Sequence, residues 1–139
     1  MLDVSSLSRD ELLERLLVET NRASVLEGEV AKERAKREDI EAKFARLLDS
    51  WGIDYRWQFP LGPYVYDFLL PGRLLVEVHG GYYHADPRRY APERLTPAQR
   101  RTVVHDSDKR HYAAERGYRL KVIWEHDLNR RQVTRSDLS

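Results

Sequence analysis

Two acids and a histidine stand where a strand would hold them together. In the run LLVEVH, Leu74 to His79, side chains alternate between the two faces of an extended chain. Leu75, Glu77 and His79 therefore share one face, and Leu74, Val76 and Val78 share the other. Asp67 interrupts the preceding apolar run YVYDFLL. If the two runs pair as a hairpin, a two-residue Pro71-Gly72 turn sets Asp67 opposite Val76. A three-residue connection, Pro71 to Arg73, sets it opposite Glu77. The second register is expected, because two acids in an apolar hairpin are hard to explain separately. Carboxylates a few ångströms apart in a partly dry site repel one another, so either one is protonated or a cation lies between them. A hard cation with oxygen ligands, typically Mg2+ with Mn2+ as substitute, is the economical answer. His79 would then act as general base or phosphate contact, its ordinary pKa lying near working pH. The bland alternative is a pair of single acids at strand ends, each satisfied by backbone or arginine. It suits each residue alone better than it suits the set.

The elements that would position these residues are legible on either side. Asp54 to Phe59 is an aromatic-rich strand, with a turn expected over Pro60 to Pro63. Tyr64 to Leu70 is a second strand, closed by Pro71-Gly72, and Leu74 to His79 a third, apolar enough to be central. Gly80 to Leu95 is long for a structureless loop, which favours a functional one. Thr96-Pro97 reads as an N-cap with proline at N1, and the helix it starts should end at Gly117. Tyr118 to Trp124 is the last strand, and the tail has room for one short helix.

Helix signals fill the first 50 residues. Ser8 and Glu11 form a capping box, and Leu12, Leu13, Leu16 and Leu17 an apolar stripe. From Glu27 to Lys43 the stripe gives way to i,i+4 charge pairs such as Glu33/Arg37 and Asp39/Lys43, each contributing about 0.2–0.5 kcal/mol. Ile40, Phe44, Leu47 and Leu48 restore an apolar face that should dock on a core, and Trp51-Gly52 ends it. The expected division is a helical arm or coiled coil over 1–38 and an α/β core over 39–139, of order αβββαβ with a mixed sheet. The arm is a candidate homodimer contact.

The chain has 139 residues and no cysteine, so neither disulfides nor thiolate metal sites arise. No apolar run approaches the roughly 18 residues of a membrane span, and a cytoplasmic protein with no membrane partner is expected. The net charge of +1 conceals an asymmetry. Residues 1–50 hold 9 Lys/Arg against 12 Asp/Glu, a net of −3. Residues 51–139 hold 15 against 11, a net of +4, together with all five histidines. A basic, histidine-bearing half suits a polyanion.

Asp67 followed by Glu77-x-His79 resembles the core motif of the PD-(D/E)xK nucleases, with histidine where lysine usually stands. The resemblance is closer to the very-short-patch-repair (Vsr) endonuclease group, and phage homing endonucleases share that core. It is carried by five pieces in order over roughly residues 39–128: Glu41 in DIEAKFARLL, YRWQ with Gln58, YDFLL with Asp67, HGGYYH from His79 to His84, and VIWEHDL with Glu125. Asp106 in VVHDSDKR resembles the aspartate of the group's arginine–aspartate pair.

This resemblance implies a restriction-endonuclease-like fold and a Mg2+-dependent DNA endonuclease, nicking one strand per active site, in a bacterium or in a phage-infected host. It implies that Asp67 is the main metal ligand, with the Val78 carbonyl as the other. His79 and His84 would assist water attack and leaving-group departure, Glu41 would orient the attacking water, and Asp106 would support them. Glu77 replaces an apolar residue of the repair enzymes, which makes it a candidate second carboxylate ligand. Gly81, Asp86 and His126 stand near the repair enzymes' zinc ligands, so no structural zinc is expected. Tyr82 and Tyr83 match an aromatic pair that inserts between base pairs, and stacking worth about 1–3 kcal/mol per base can offset unstacking a step. The same tyrosines would equally serve to pack the loop on the sheet.

Arg88, Arg89, Arg94, Arg100 and Arg101 crowd the loop and following helix as candidate phosphate contacts, with Lys121 on the last strand. His105 and His111 read as surface or packing residues. The other function class compatible with these residues is a non-catalytic nucleic-acid-binding or helical interaction protein on a nuclease-like fold.

Overall fold

The computed structural model describes residues 31, 32, 35, 37 and 39–139. Ala31, Lys32, Ala35 and Arg37 are helical. The rest of the arm expected over 1–38, with its capping box and leucine stripe, lies outside the described residues. Residues 39–139 form one unit, which opens with helix α1 over 39–50. Ile40, Phe44, Ala45 and Leu48 give α1 a buried side at helical spacing. Its end is a Schellman motif: Ile53 N–H donates to the Leu48 carbonyl and Gly52 N–H to that of Asp49. Gly52 takes the φ of 65° that the motif requires.

Three strands follow: β1 (Arg56–Leu61), β2 (Tyr64–Leu70) and β3 (Leu74–His79). After a loop and a 3-10 turn (Pro92–Arg94) come helix α2 (Pro97–Glu115), strand β4 (Arg119–Trp124), helix α3 (Glu125–Asn129) and a 3-10 turn (Arg135–Leu138). The sheet order is β1-β2-β3-β4, antiparallel except for the parallel β3/β4 pair. The fold is thus the expected α/β one, with a mixed sheet and αβββαβ order. Among the described residues no helix is long and apolar enough to cross a membrane.

Three local expectations change, the first being that β1 begins at Arg56 and not at Asp54. Pro60 belongs to β1, paired with Val65, and the turn narrows to Gly62-Pro63. β1 is an edge strand, where a missing N–H costs the ladder nothing. Strand β4 begins at Arg119, one residue late, because Tyr118 N–H closes the Schellman motif of α2 on the Ala113 carbonyl, with Gly117 at φ 82°.

The sheet has two unlike sides. Against α1 lie Phe68, Leu70, Leu74, Val76, Val78 and Ile123, closed below by Leu128, Val133 and Leu138. Against α2 lie Tyr66 and Leu75 with Ala113, flanked by Phe59, Tyr118 and Leu120. Residues two apart in a strand normally share a face, yet Tyr66 and Phe68 do not. Their partners in β1 switch with them: Trp57 stacks on Phe68, whereas Phe59 packs with Tyr118 on the α2 side. The crossover falls at Gln58 and Asp67, and Gln58 carries a left-handed φ of 56°.

Candidate active site

Asp67 sits at that crossover. The β2/β3 ladder pairs Leu70 with Leu74, Leu69 with Leu75 and Phe68 with Val76, across a connection of three residues. Carried one residue further, the register sets Asp67 across from Glu77. The ladder itself stops there. Val78 N–H donates instead to Asp67 Oδ2 at 2.8 Å, so a side chain takes the place of the backbone acceptor where the strands part. Being at the switch between faces, Asp67 meets acids from both sides of the sheet. Its carboxyl lies beside those of Glu41 of α1 and Glu77 of β3, close enough to interact with both.

Glu41 is held from its other side. Trp57 Nε1 donates to its Oε2 at 3.0 Å, and Gln58 Nε2 reaches both oxygens at 3.0 and 3.1 Å. Burial pushes the Glu41 carboxyl up to about 7, helped by Asp67. Burial and the charge of Glu77 push Asp67 up to about 7 as well. Glu77 is 6% exposed, and burial raises its pKa against the pull of Lys109. Lys109 Nζ, from α2, donates to Glu77 Oε1 at 2.5 Å and to the Val65 carbonyl at 2.9 Å, and lies over the Tyr66 ring.

The chain of polar groups continues through the histidines. His79 Nε2 is 4.0 Å from Glu77 Oε2, and its Nδ1 is 4.0 Å from Asp106 Oδ2. His84 stacks on His79, centroids 3.7 Å apart and planes 8° from parallel, and its Nδ1 meets Asp106 Oδ2 at 2.7 Å. The loop folds to make this possible: His84 N–H returns to the Gly80 carbonyl and Asp86 N–H to that of Gly81. The structure thereby joins Glu41, Asp67, Glu77, His79, His84 and Asp106 in one contiguous array.

The histidines differ from expectation in one respect. Burial, then the neighbouring His84, lowers His79 to about 3, so its imidazole is neutral at working pH. Asp106 is held below its ordinary value: burial opposes this, but the hydrogen bond with His84 and the charge of Lys109 help to outweigh it. Ligand atoms of His79, His84 and Asp106 lie within 4.8 Å of one another, a spacing that fits a metal cage. Parallel rings, however, direct their lone pairs in parallel planes that never meet. The geometry favours proton transfer along a His84–Asp106 dyad over shared coordination. The carboxylates of Asp67 and Glu41 are the better cation donors, being hard oxygens crowded together with raised pKa values.

The expected DNA contacts lie outside this array. Tyr82 and Tyr83 are 54% and 49% exposed and meet edge to face, with the Tyr82 carbonyl fixed by Gln99 Nε2 at 2.7 Å. Arg89, Arg100, Arg101 and Lys121 are exposed. Arg88 is half exposed but bound to two carboxylates: its guanidinium bridges buried Asp86 and Asp127 of α3 at 2.8–3.2 Å. It serves as a tie for the loop. Arg110 stands without a hydrogen-bond or ion-pair partner among the described residues. It lines a cavity of about 370 Å3 with His79, His84, Tyr90, Asp106 and Trp124.

Sequence reasoning overlooks Lys109 and Arg110. The one signal for Lys109 was its spacing, three residues after Asp106 and four before Ala113, which puts all three on one side of α2.

No protein-family model and no curated protein matches this chain. Among solved structures, it is similar to the catalytic domain of the homing endonuclease I-Bth0305I, at 24% identity over 67% of this chain and 82% of that one, with a TM-score of 0.49.

Proposed function

We propose that the protein is a Mg2+-dependent DNA endonuclease that hydrolyses phosphodiester bonds, one strand per active site. The observation that carries this reading is the array itself: a carboxylate crowded between two others, with a histidine–aspartate dyad beside it. Asp67, with Glu41 behind it, is the group that would hold the ion. When bound, Mg2+ supplies positive charge to the scissile phosphate and lowers the cost of forming a nucleophile from water.

The chain's own residues do the rest. Trp57 and Gln58 fix Glu41 in one orientation, so that it can position the attacking water. His84, oriented through Nδ1 by Asp106, has Nε2 left to exchange a proton with water or leaving group, as an aspartate-backed histidine does in hydrolases. Neutral His79 braces His84 by stacking. Arg110 faces the same space with an unpaired guanidinium, suited to a phosphate oxygen. Tyr82, Tyr83, Arg89, Arg100 and Arg101 offer an exposed aromatic and basic flank for duplex DNA.

Nicking of supercoiled plasmid with Mg2+ or Mn2+ tests the reading. Wild type should nick, and Asp67→Asn should lose on the order of 10³-fold in rate, as expected when a charge-stabilising group is removed. Equal rates in both proteins, or none in either, would sink it.

A further inference from the structure

The Lys109–Glu77 pair has no counterpart in the sequence-based picture, and its geometry bears on how many cations the site takes. Both side chains are nearly buried, 13% and 7% exposed, and they meet at 2.5 Å. Lys109 is held from three directions, by Glu77 Oε1, the Val65 carbonyl and the Tyr66 ring. Tyr66 in turn fixes the helix above it, its hydroxyl donating to the Lys109 carbonyl at 2.7 Å. A surface ion pair is weakly oriented. This one is seated on strand and helix at once, with its ammonium on Glu77 Oε1.

We infer that Lys109 is the site's resident cation: it neutralises Glu77 and leaves Asp67 and Glu41 to hold a single divalent ion. This rests on the metal-dependent reading proposed above. The charges balance on that assignment. Glu77 and Lys109 cancel, and the two remaining carboxylates match one dication. Glu77 then acts through Lys109 and Asp67 as a positioning residue, and is not a ligand. A buried carboxylate deprived of its lysine would instead seek another cation, because an unpaired buried charge is strongly unfavourable.

Mn2+ titration by calorimetry on the full chain, without DNA, tests this independently of cleavage. Wild type should bind one Mn2+, and Asp67→Asn none. Glu77→Gln should still bind one, weakened by about 10- to 100-fold, as for an outer group that supports a ligand. Lys109→Met should bind two, and the double variant Glu77→Gln/Lys109→Met one again. Loss of saturable binding in Glu77→Gln, or a single ion at wild-type affinity in Lys109→Met, overturns the inference while leaving the nuclease reading intact. If Lys109→Met does not fold, the Glu77→Gln and double variants decide: one ion in both upholds the inference, none in either overturns it. A wild-type protein that binds no Mn2+ sinks the nuclease reading and the inference with it.

Discussion

On the α1 side of the sheet, Phe44, Leu48, Phe68, Leu70, Val76 and Val78 bury carbon against carbon. On the α2 side, the buried apolar residues are Tyr66, Leu75 and Ala113, and Glu77, His79, Asp106 and Lys109 occupy the adjoining space. Every buried side-chain nitrogen and oxygen among the described residues has a partner, so the polar side is fully satisfied. The contrast teaches a division of labour within one sheet. Most of the buried carbon lies on the α1 side, where Glu41 is the only member of the array, and this lets the other side keep ionisable groups together at a cost in stability.

The largest effect expected from breaking that division comes from the apolar side. Phe44 is fully buried and meets Phe68 edge to face at 5.1 Å. Phe44→Ala should cost about 3–5 kcal/mol, read by urea denaturation, while the cleavage rate per folded molecule stays near wild type at low temperature. A large loss of rate with intact stability would mean that the two sides are not separable.

The complementary substitution is Asp106→Asn. It keeps the size of the side chain and removes the charge that orients His84 at 2.7 Å. Cleavage should fall on the order of 10²-fold, with a shifted pH–rate profile and stability changed by less than about 1 kcal/mol. A variant with the wild-type pH profile would count against the dyad.

These two regions were not equally legible in the sequence. Leu74 to His79 announces a buried strand by composition, and the alternation of Glu77 and His79 with Val76 and Val78 gives the two faces directly. Helix α2 hides its inner side, because that side is Gln99, Asp106, Lys109 and Ala113 and carries no apolar stripe. A lysine after SD in a charged helix reads as solvated, and only the docked helix turns it toward Glu77. His79 misleads for a related reason. Its ordinary pKa suggests a group that exchanges a proton near working pH, whereas burial and the adjacent His84 push it down to about 3, so it accepts a proton only weakly. The face switch at Gln58 and Asp67 is equally hidden, since the residue types in YRWQF and YVYDF fit an unbroken alternation.

The cost of crowding the carboxylates should appear as a pH dependence of the metal-free protein. Folded Glu41 and Asp67 keep protons up to about pH 7, from ordinary values of 4.5 and 3.8. The unfolded chain gives those protons up first. Stability from this pair is therefore full below about pH 4 and is lost as pH rises towards 7. His79 works in the opposite sense, folded at about 3 against 6.5, losing stability as pH falls below 6.5. The pair is isolated by difference. In EDTA, Asp67→Asn should gain on wild type from pH 4 to 7, reaching roughly 1–3 kcal/mol at pH 8. Mg2+ should then stabilise wild type and not the variant. Parallel stability curves would remove the crowding argument.

The smallest effect concerns the seam between the two sides. Gln58 adopts φ 56° where β1 changes faces, and its amide clamps both oxygens of Glu41. A left-handed conformation costs a non-glycine residue roughly 1–2 kcal/mol. Gln58→Gly relieves that strain but frees the unfolded chain and loses the clamp, so stability should move by less than about 1 kcal/mol. Gln58→Ala keeps the strain and loses the same clamp. Both variants should cleave about tenfold more slowly, the loss expected for a group that supports a site residue from behind; Trp57 still holds Glu41 at 3.0 Å. Ala should be the less stable of the two by about 1 kcal/mol. Equal rates with unequal stabilities would separate the two roles of this residue: its side chain orients Glu41, and its backbone turns the strand so that Asp67 can face acids from both sides of the sheet. A Gly variant that cleaves like wild type would leave Trp57 as the sole clamp and reduce Gln58 to the turn alone.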